Sequence, residues 1–105
     1  MKEKTKSFFQ TVTKSGGLFN SDHLSLKATK GGSSKSEVHV VVSKKVVPSA
    51  VSRNRIRRRV RGLFEEINPS SMQAVFYTKK GAKDISLNKL REEVGSLISD
   101  VEREK

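Results

Sequence analysis

A chain of 105 residues and 11.7 kDa has room for one domain, spanning 1–105, and one modest core. At this length folding hides roughly 60–70% of the extended chain's surface. The 22 Lys and Arg outnumber the 11 Asp and Glu, giving a net charge of +11 and a pI of about 10.3, which favours a polyanionic partner. There is no Cys, so disulfide scaffolds, thiolate zinc sites and a Cys nucleophile are excluded, and the cytoplasm is the expected setting. No apolar run approaches the ~18 residues that cross a bilayer, so no membrane role is expected. Phe8-Phe9, after Lys2, Lys4 and Lys6, is too short for the core of a signal peptide. Hydrophobic residues make up only 33%, yet they recur periodically, which predicts a folded chain.

Thr5 or Ser7 can cap a short first helix carrying Phe8, Phe9 and Val12, ending at Gly16-Gly17. Leu18 to Thr29 alternates in part through Leu24, Leu26 and Ala28, which predicts a strand. A loop follows at Gly31-Gly32-Ser33-Ser34. Val38 to Ser43 is the strongest strand, being rich in β-branched residues. Pro48 and Ser49 break the chain before a long helix over about 52–67. Asn68-Pro69 stops it, because Pro cannot continue a helix and restricts the residue before it. Gln73 to Thr78 reads as a third strand. The last helix starts near Asp84 or Ser86 and carries Leu87, Leu90, Val94, Leu97, Ile98 and Val101 at three- and four-residue spacing. The order α-β-β-α-β-α predicts an α+β fold, a two-layer α/β sandwich.

The charge is concentrated. Between Val38 and Phe64 there are eight basic residues (Lys44, Lys45, Arg53, Arg55, Arg57, Arg58, Arg59, Arg61) and no acidic one, whereas the stretch from Asp84 onward is net acidic. In the long helix Ile56, Val60, Leu63, Phe64 and Ile67 form one stripe able to dock on a sheet. Asn54, Arg58 and Arg61 project opposite that stripe, with Arg55, Arg57 and Arg59 along its flanks. Like charges at i, i+4 cost about 0.2–0.5 kcal/mol per pair, so this helix is penalised unless a polyanion lies along it. Six arginines and no lysine favour nucleic acid, since a planar guanidinium grips a phosphate with two parallel hydrogen bonds and stacks on bases. A plainly solvated basic face is the competing reading, and a membrane-surface helix is a weaker one because its apolar face would be richer in Trp, Phe and Leu. Lys44 and Lys45, at the exit of the best strand, either extend the basic surface or simply charge a sheet edge against aggregation.

Val-Val-Ser-Lys-Lys at 41–45, followed by Ala-Val-x-Arg-Asn-Arg-Ile-x-Arg-x-x-Arg at 50–61, resembles the signature of the bacterial ribonuclease P protein component. Phe9-Gln-x-Val12, the basic Gly-containing turn at Lys14 and Gly16, the strand from Ala74 to Lys79 and the final helix also fit. The resemblance covers essentially the whole chain. It implies the protein subunit of an endoribonuclease that removes the 5′ leader of precursor tRNA, with the catalytic RNA subunit binding the Mg²⁺ and no protein active site. The partners it implies are the catalytic RNA and precursor tRNA, with no protein partner required. On the same basis Lys44, Lys45, Arg53, Asn54, Arg55, Arg57, Arg58 and Arg61 would contact that RNA. A cleft between the first helix and the sheet would take the leader at Phe9, Lys14 and Lys79, with Phe9 as a stacking surface. The family also implies a left-handed β-α-β crossover around the arginine helix. The sequence departs from the family pattern in three places. Val46 to Ser49 is one residue longer than the usual connection, Thr13 stands where a second aromatic is common, and Lys79 stands where Arg is common.

The alternative reading is a ribosomal-type structural RNA-binding protein with no part in cleavage. A protein-only nuclease would have to draw on His23 and His39, the only histidines. Glu65-Glu66 and Glu92-Glu93 lie on helices, where neighbours point about 100° apart and make no metal cage. No P-loop, His-Glu-x-x-His or Gly-x-Ser-x-Gly motif is present.

Overall fold

Leu24-Ser-Leu-Lys-Ala-Thr-Lys30 alternates apolar with polar residues, and in the computed structural model it is a strand with Leu24, Leu26 and Ala28 buried on one face. The structure describes residues 17–30, 36–69 and 71–103. Among these the order is β1 (Gly17–Asn20), β2 (Leu24–Lys30), β3 (Glu37–Val41), α1 (Ala50–Ile67), β4 (Met72–Thr78), a single 3₁₀ turn (Ala82–Asp84) and α2 (Leu87–Arg103). The expected first helix, with Phe8, Phe9, Thr13 and Lys14, lies outside the described residues, as does the loop at 31–34.

The four strands form one sheet in the order β1-β2-β4-β3. β4 pairs antiparallel with β2 and parallel with β3, so β3, α1 and β4 make a crossover unit. The register sets Leu26 opposite Phe76 and Ala28 opposite Ala74, which puts the apolar residues of both strands on the side facing the helices. There α1 contributes Ile56, Val60, Leu63 and Phe64, and α2 contributes Leu90, Val94, Leu97, Ile98 and Val101, to one continuous core. Phe64 meets Phe76 edge-on, with ring centroids 6.4 Å apart and planes at 80°. The second face of the sheet is more polar and carries Lys27, His39 and Tyr77. Val75 is also on that face and is 0% exposed.

The strand expected over Leu18 to Thr29 is in fact a hairpin. The turn formers Asn20, Ser21 and Asp22 interrupt it, and the Ser21 N–H closes the turn by donating to the Leu24 carbonyl at 2.9 Å. The last helix begins at Leu87, and of the two expected starts it is Ser86 that caps it, accepting from the Lys89 N–H at 3.1 Å. Its C-terminal half continues the expected apolar stripe to Val101.

A carboxylate interrupts that stripe. Glu93 lies three residues after Leu90, is only 4% exposed, and ties α2 to the β1–β2 turn. It accepts from the Ser21 hydroxyl, from the His23 backbone N–H at 2.8 Å and from the His23 ring at Nδ1, 2.6 Å away. Burial pushes the Glu93 pKa up. The hydrogen bonds from Ser21 and His23, together with the imidazole's charge, outweigh it and leave the pKa below its usual 4.5. A carboxylate depressed in the folded state adds stability above its unfolded pKa and loses it as pH falls through the folded value. Denaturant midpoints are therefore expected to drop as the pH falls below about 4.5. Glu93→Gln is expected to lose about 1–3 kcal/mol near neutral pH, because an amide N–H₂ would face other donors. It should also flatten the acid limb of the stability profile, and urea unfolding followed from neutral to acid pH measures both effects.

Candidate nucleic-acid interface

The Ser-Lys-Lys turn is built by its serine. The Ser43 carbonyl accepts from the N–H groups of Val46 and Val47 at 3.1 and 2.9 Å, and its hydroxyl accepts from the Lys45 N–H at 3.1 Å. This leaves Lys44 and Lys45 exposed at the carboxyl end of β3. The longer connection then returns the chain through buried Val47 to Ser49, whose hydroxyl accepts from the Ser52 N–H at 3.3 Å and starts α1. α1 ends at Asn68, in the left-handed conformation at φ 53°, whose N–H donates to the Phe64 carbonyl at 3.0 Å.

Because Ile56, Val60, Leu63 and Phe64 are buried against the sheet and α2, the other side of α1 faces outward. Asn54, Arg55, Arg58, Arg59 and Arg61 are exposed, while Arg53 and Arg57 are half-buried. None of these guanidiniums has an acidic partner among the described residues, where the ion pairs are His23–Glu93, Lys89–Asp22 and Arg103–Asp100. The charges also run against the helix macrodipole. The first turn has no acidic residue, the last turn has no basic one, and the last turn holds Glu65 and Glu66. The favourable arrangement is the reverse, worth about 0.3–1 kcal/mol per charge. Neither the helix dipole nor an ion pair among the described residues offsets this concentration of charge.

The expected RNA contacts fall into two groups. Arg55, Arg58 and Arg61, with Lys44 and Lys45, present their charge outward. Arg53 instead turns back on the connection before the helix, with Nη1 donating to the carbonyls of Val47 and Pro48 at 3.0 and 2.7 Å. Arg57 Nη1 donates to Asn54 Oδ1 at 2.8 Å, fixing both side chains relative to each other. Since β3 and β4 run parallel, with Val41 opposite Tyr77, Lys79 emerges at the same end of the sheet as Lys44, Lys45 and the start of α1. Its ammonium donates to the Ser21 carbonyl at 2.9 Å, and its N–H donates to the His23 carbonyl at 2.9 Å. Phe9 and Lys14 lie outside the described residues. Sequence reasoning missed the Glu93 node. The available signal was a carboxylate inside the apolar stripe of the last helix.

Comparison with known proteins bears on this geometry. The family model for Ribonuclease P matches residues 2–102. The chain belongs to the ribonuclease P protein family. A curated relative, the ribonuclease P protein component of Psychrobacter sp. (strain PRwf-1), is 29% identical over 85 residues, which is 79% of this chain and 58% of that one. The chain thus spans little more than half the length of that relative. Among solved structures, a Staphylococcus aureus RNase P protein, in a mutant form described as defective in mRNA degradation activity, superposes with a TM-score of 0.82 at 19% identity, covering 92% of this chain and 84% of that one. The RNase P protein of Thermotoga maritima superposes with a TM-score of 0.78 at 22% identity, covering 92% of each chain. At these identities the likeness concerns the fold, and it agrees with the α+β architecture read from the sequence.

Arg53 and Arg58 differ enough in setting to be told apart in the free protein. Arg53→Ala removes two charge-assisted hydrogen bonds to loop carbonyls and should lower stability by about 1–3 kcal/mol. Arg58→Ala, at an exposed position, should stay within about 0.5 kcal/mol of the parent. Chemical denaturation of both variants without RNA checks this pair of outcomes.

Proposed function

We propose that this chain is the protein subunit of a ribonucleoprotein ribonuclease P, binding the catalytic RNA and assisting removal of the 5′ leader from precursor tRNA. The observation that carries the reading is the outward row of guanidiniums on α1, unpaired with any acid among the described residues and set against the helix dipole. Membership of the family supports it.

In this reading Arg55, Arg58 and Arg61, with Lys44 and Lys45, hold phosphates of the catalytic RNA. Arg57 presents Asn54 for a base edge or sugar. Arg53 positions the start of the helix through the carbonyls of Val47 and Pro48, and its remaining N–H groups are directed at RNA. Lys79, braced on the β1–β2 turn, meets the leader together with Phe9 and Lys14. The protein's part is positional. It neutralises phosphates and fixes the precursor relative to the catalytic RNA, so that the RNA's Mg²⁺ acts on the scissile bond. Among the described residues no three His, Asp or Glu side chains come together as a set that could hold a metal ion. No helix among them is long and apolar enough to cross a membrane. A cytoplasmic location is part of the proposal.

Precursor-tRNA cleavage by the cognate catalytic RNA at low Mg²⁺ should rise sharply when this protein is added. Absence of any enhancement, with stable binding to ribosomal RNA instead, would favour the structural alternative. Binding to the catalytic RNA should weaken with salt, with a log–log slope near −0.7 to −0.9 per phosphate neutralised. Arg55→Ala and Arg58→Ala should each flatten that slope by about one, as read from titrations at several salt concentrations. Unchanged slopes in both would show that these side chains meet water.

A further inference from the structure

Gly62 is an unfavourable residue in the middle of α1, and nothing among the described residues explains it. Glycine in a helix interior is less stable than alanine. A Cβ built on Gly62 meets no atom of the described residues within 4 Å, so the packing among them does not need the space that its missing side chain leaves. Gly95 in α2 has the same property. What separates the two is their surroundings. Gly62 lies in a groove of about 480 Å³ whose other lining residues are Asn54, Arg57, Arg58, Arg61 and Glu65.

Three guanidiniums and an amide thus surround a patch of helix main chain stripped of its side chain. The Arg57–Asn54 hydrogen bond of 2.8 Å fixes one wall in advance. Glycine at such a place allows another backbone to approach the helix closely. Glu65, one turn beyond Arg61, repels phosphate and accepts hydrogen bonds. The anion is therefore confined to the part of the groove lined by Arg57, Arg58 and Arg61, while a ribose 2′-hydroxyl is a donor suited to the Glu65 end.

From this juxtaposition we infer that the groove over Gly62 is a seat for one stretch of RNA sugar–phosphate backbone, packed directly against the main chain of α1. The inference rests on the RNA-binding reading above and adds to it a point of closest approach and a direction. The backbone enters at Arg57, Arg58 and Arg61 and leaves past Glu65.

The test compares Gly62→Ala with Gly95→Ala in the full chain, with Arg58→Ala alongside. Thermal unfolding is followed without RNA. Affinity is measured for the cognate catalytic RNA, and for precursor tRNA with the assembled complex. Both glycine variants should unfold about 2–8 °C higher than the parent, since alanine favours the helix and has room at both positions. Only Gly62→Ala should bind RNA more weakly, by about tenfold. The arm that shows the loss identifies which RNA occupies the groove. If Gly62→Ala binds both RNAs like the parent while Arg58→Ala is weakened, the seat is refuted and RNA binding by the helix stands. If neither variant is weakened, the RNA-binding reading itself fails. A lowered unfolding temperature for Gly62→Ala would assign the glycine to the fold and also overturn the proposal.

Discussion

A helix with six arginines between positions 53 and 61 is held in place here by its other side. Ile56, Val60, Leu63 and Phe64 are sunk into the core, and Phe64 stacks edge-on against Phe76 of the central strand. Burying side chains of this kind is worth about 1.5–3 kcal/mol each. Repulsion between like charges one turn apart costs a few tenths of a kcal/mol per pair, with a further penalty from the helix dipole. The apolar stripe therefore prevails, and the molecule can keep a row of cations on rigid backbone before any partner arrives. A ligand that neutralises the row meets side chains already assembled on one side. It needs only to order their outer ends.

The sequence and the structure agree where periodicity is strong. The apolar spacing places both helices and the buried sides from Ile56 to Phe64 and from Leu90 to Val101, although Ile67 and Leu87, expected at the ends of those stripes, are exposed; the β-branched run around Val40 places β3. The outward cations on α1 followed from the same periodicity. What the spacing did not reveal were contacts made by polar side chains across long sequence separations. Arg53 reads as one more surface cation, yet its guanidinium closes the loop before its own helix, because the Val47 and Pro48 carbonyls are within its reach. Glu93 stands out in the sequence only as a helical neighbour of Glu92 that makes no metal cage, yet it is buried against a turn 70 residues earlier in the chain. The hairpin at Ser21 was hidden because the apolar alternation persists on both sides of the turn residues.

These polar contacts gather at one end of the sheet. Ser43 shapes the exit from β3, Arg53 fixes the entry to α1, and Lys79 braces the exit from β4 on the Ser21 carbonyl. The His23–Glu93 node joins the β1–β2 turn to α2 at that same end. Loops ordinarily carry the mobility of a small protein, but at this end the β1–β2 turn is held by Glu93 and Lys79 and the entry to α1 by Arg53. The consequence is a stiff platform under the cations, in which charge position is set by hydrogen bonds made away from the charged surface.

The strand order has a further implication for how the molecule is made. β4 sits between β2 and β3, although it is the last of these four strands to be synthesised. Until it inserts, β3 has no neighbour among the described strands, and the arginine helix has no Phe76 to rest on. Pairings so distant in sequence form late and slowly. A nascent chain therefore exposes its polycationic segment before β4 is available to arrange it, and the cations take up their shaped surface only after Met72–Thr78 has emerged and paired.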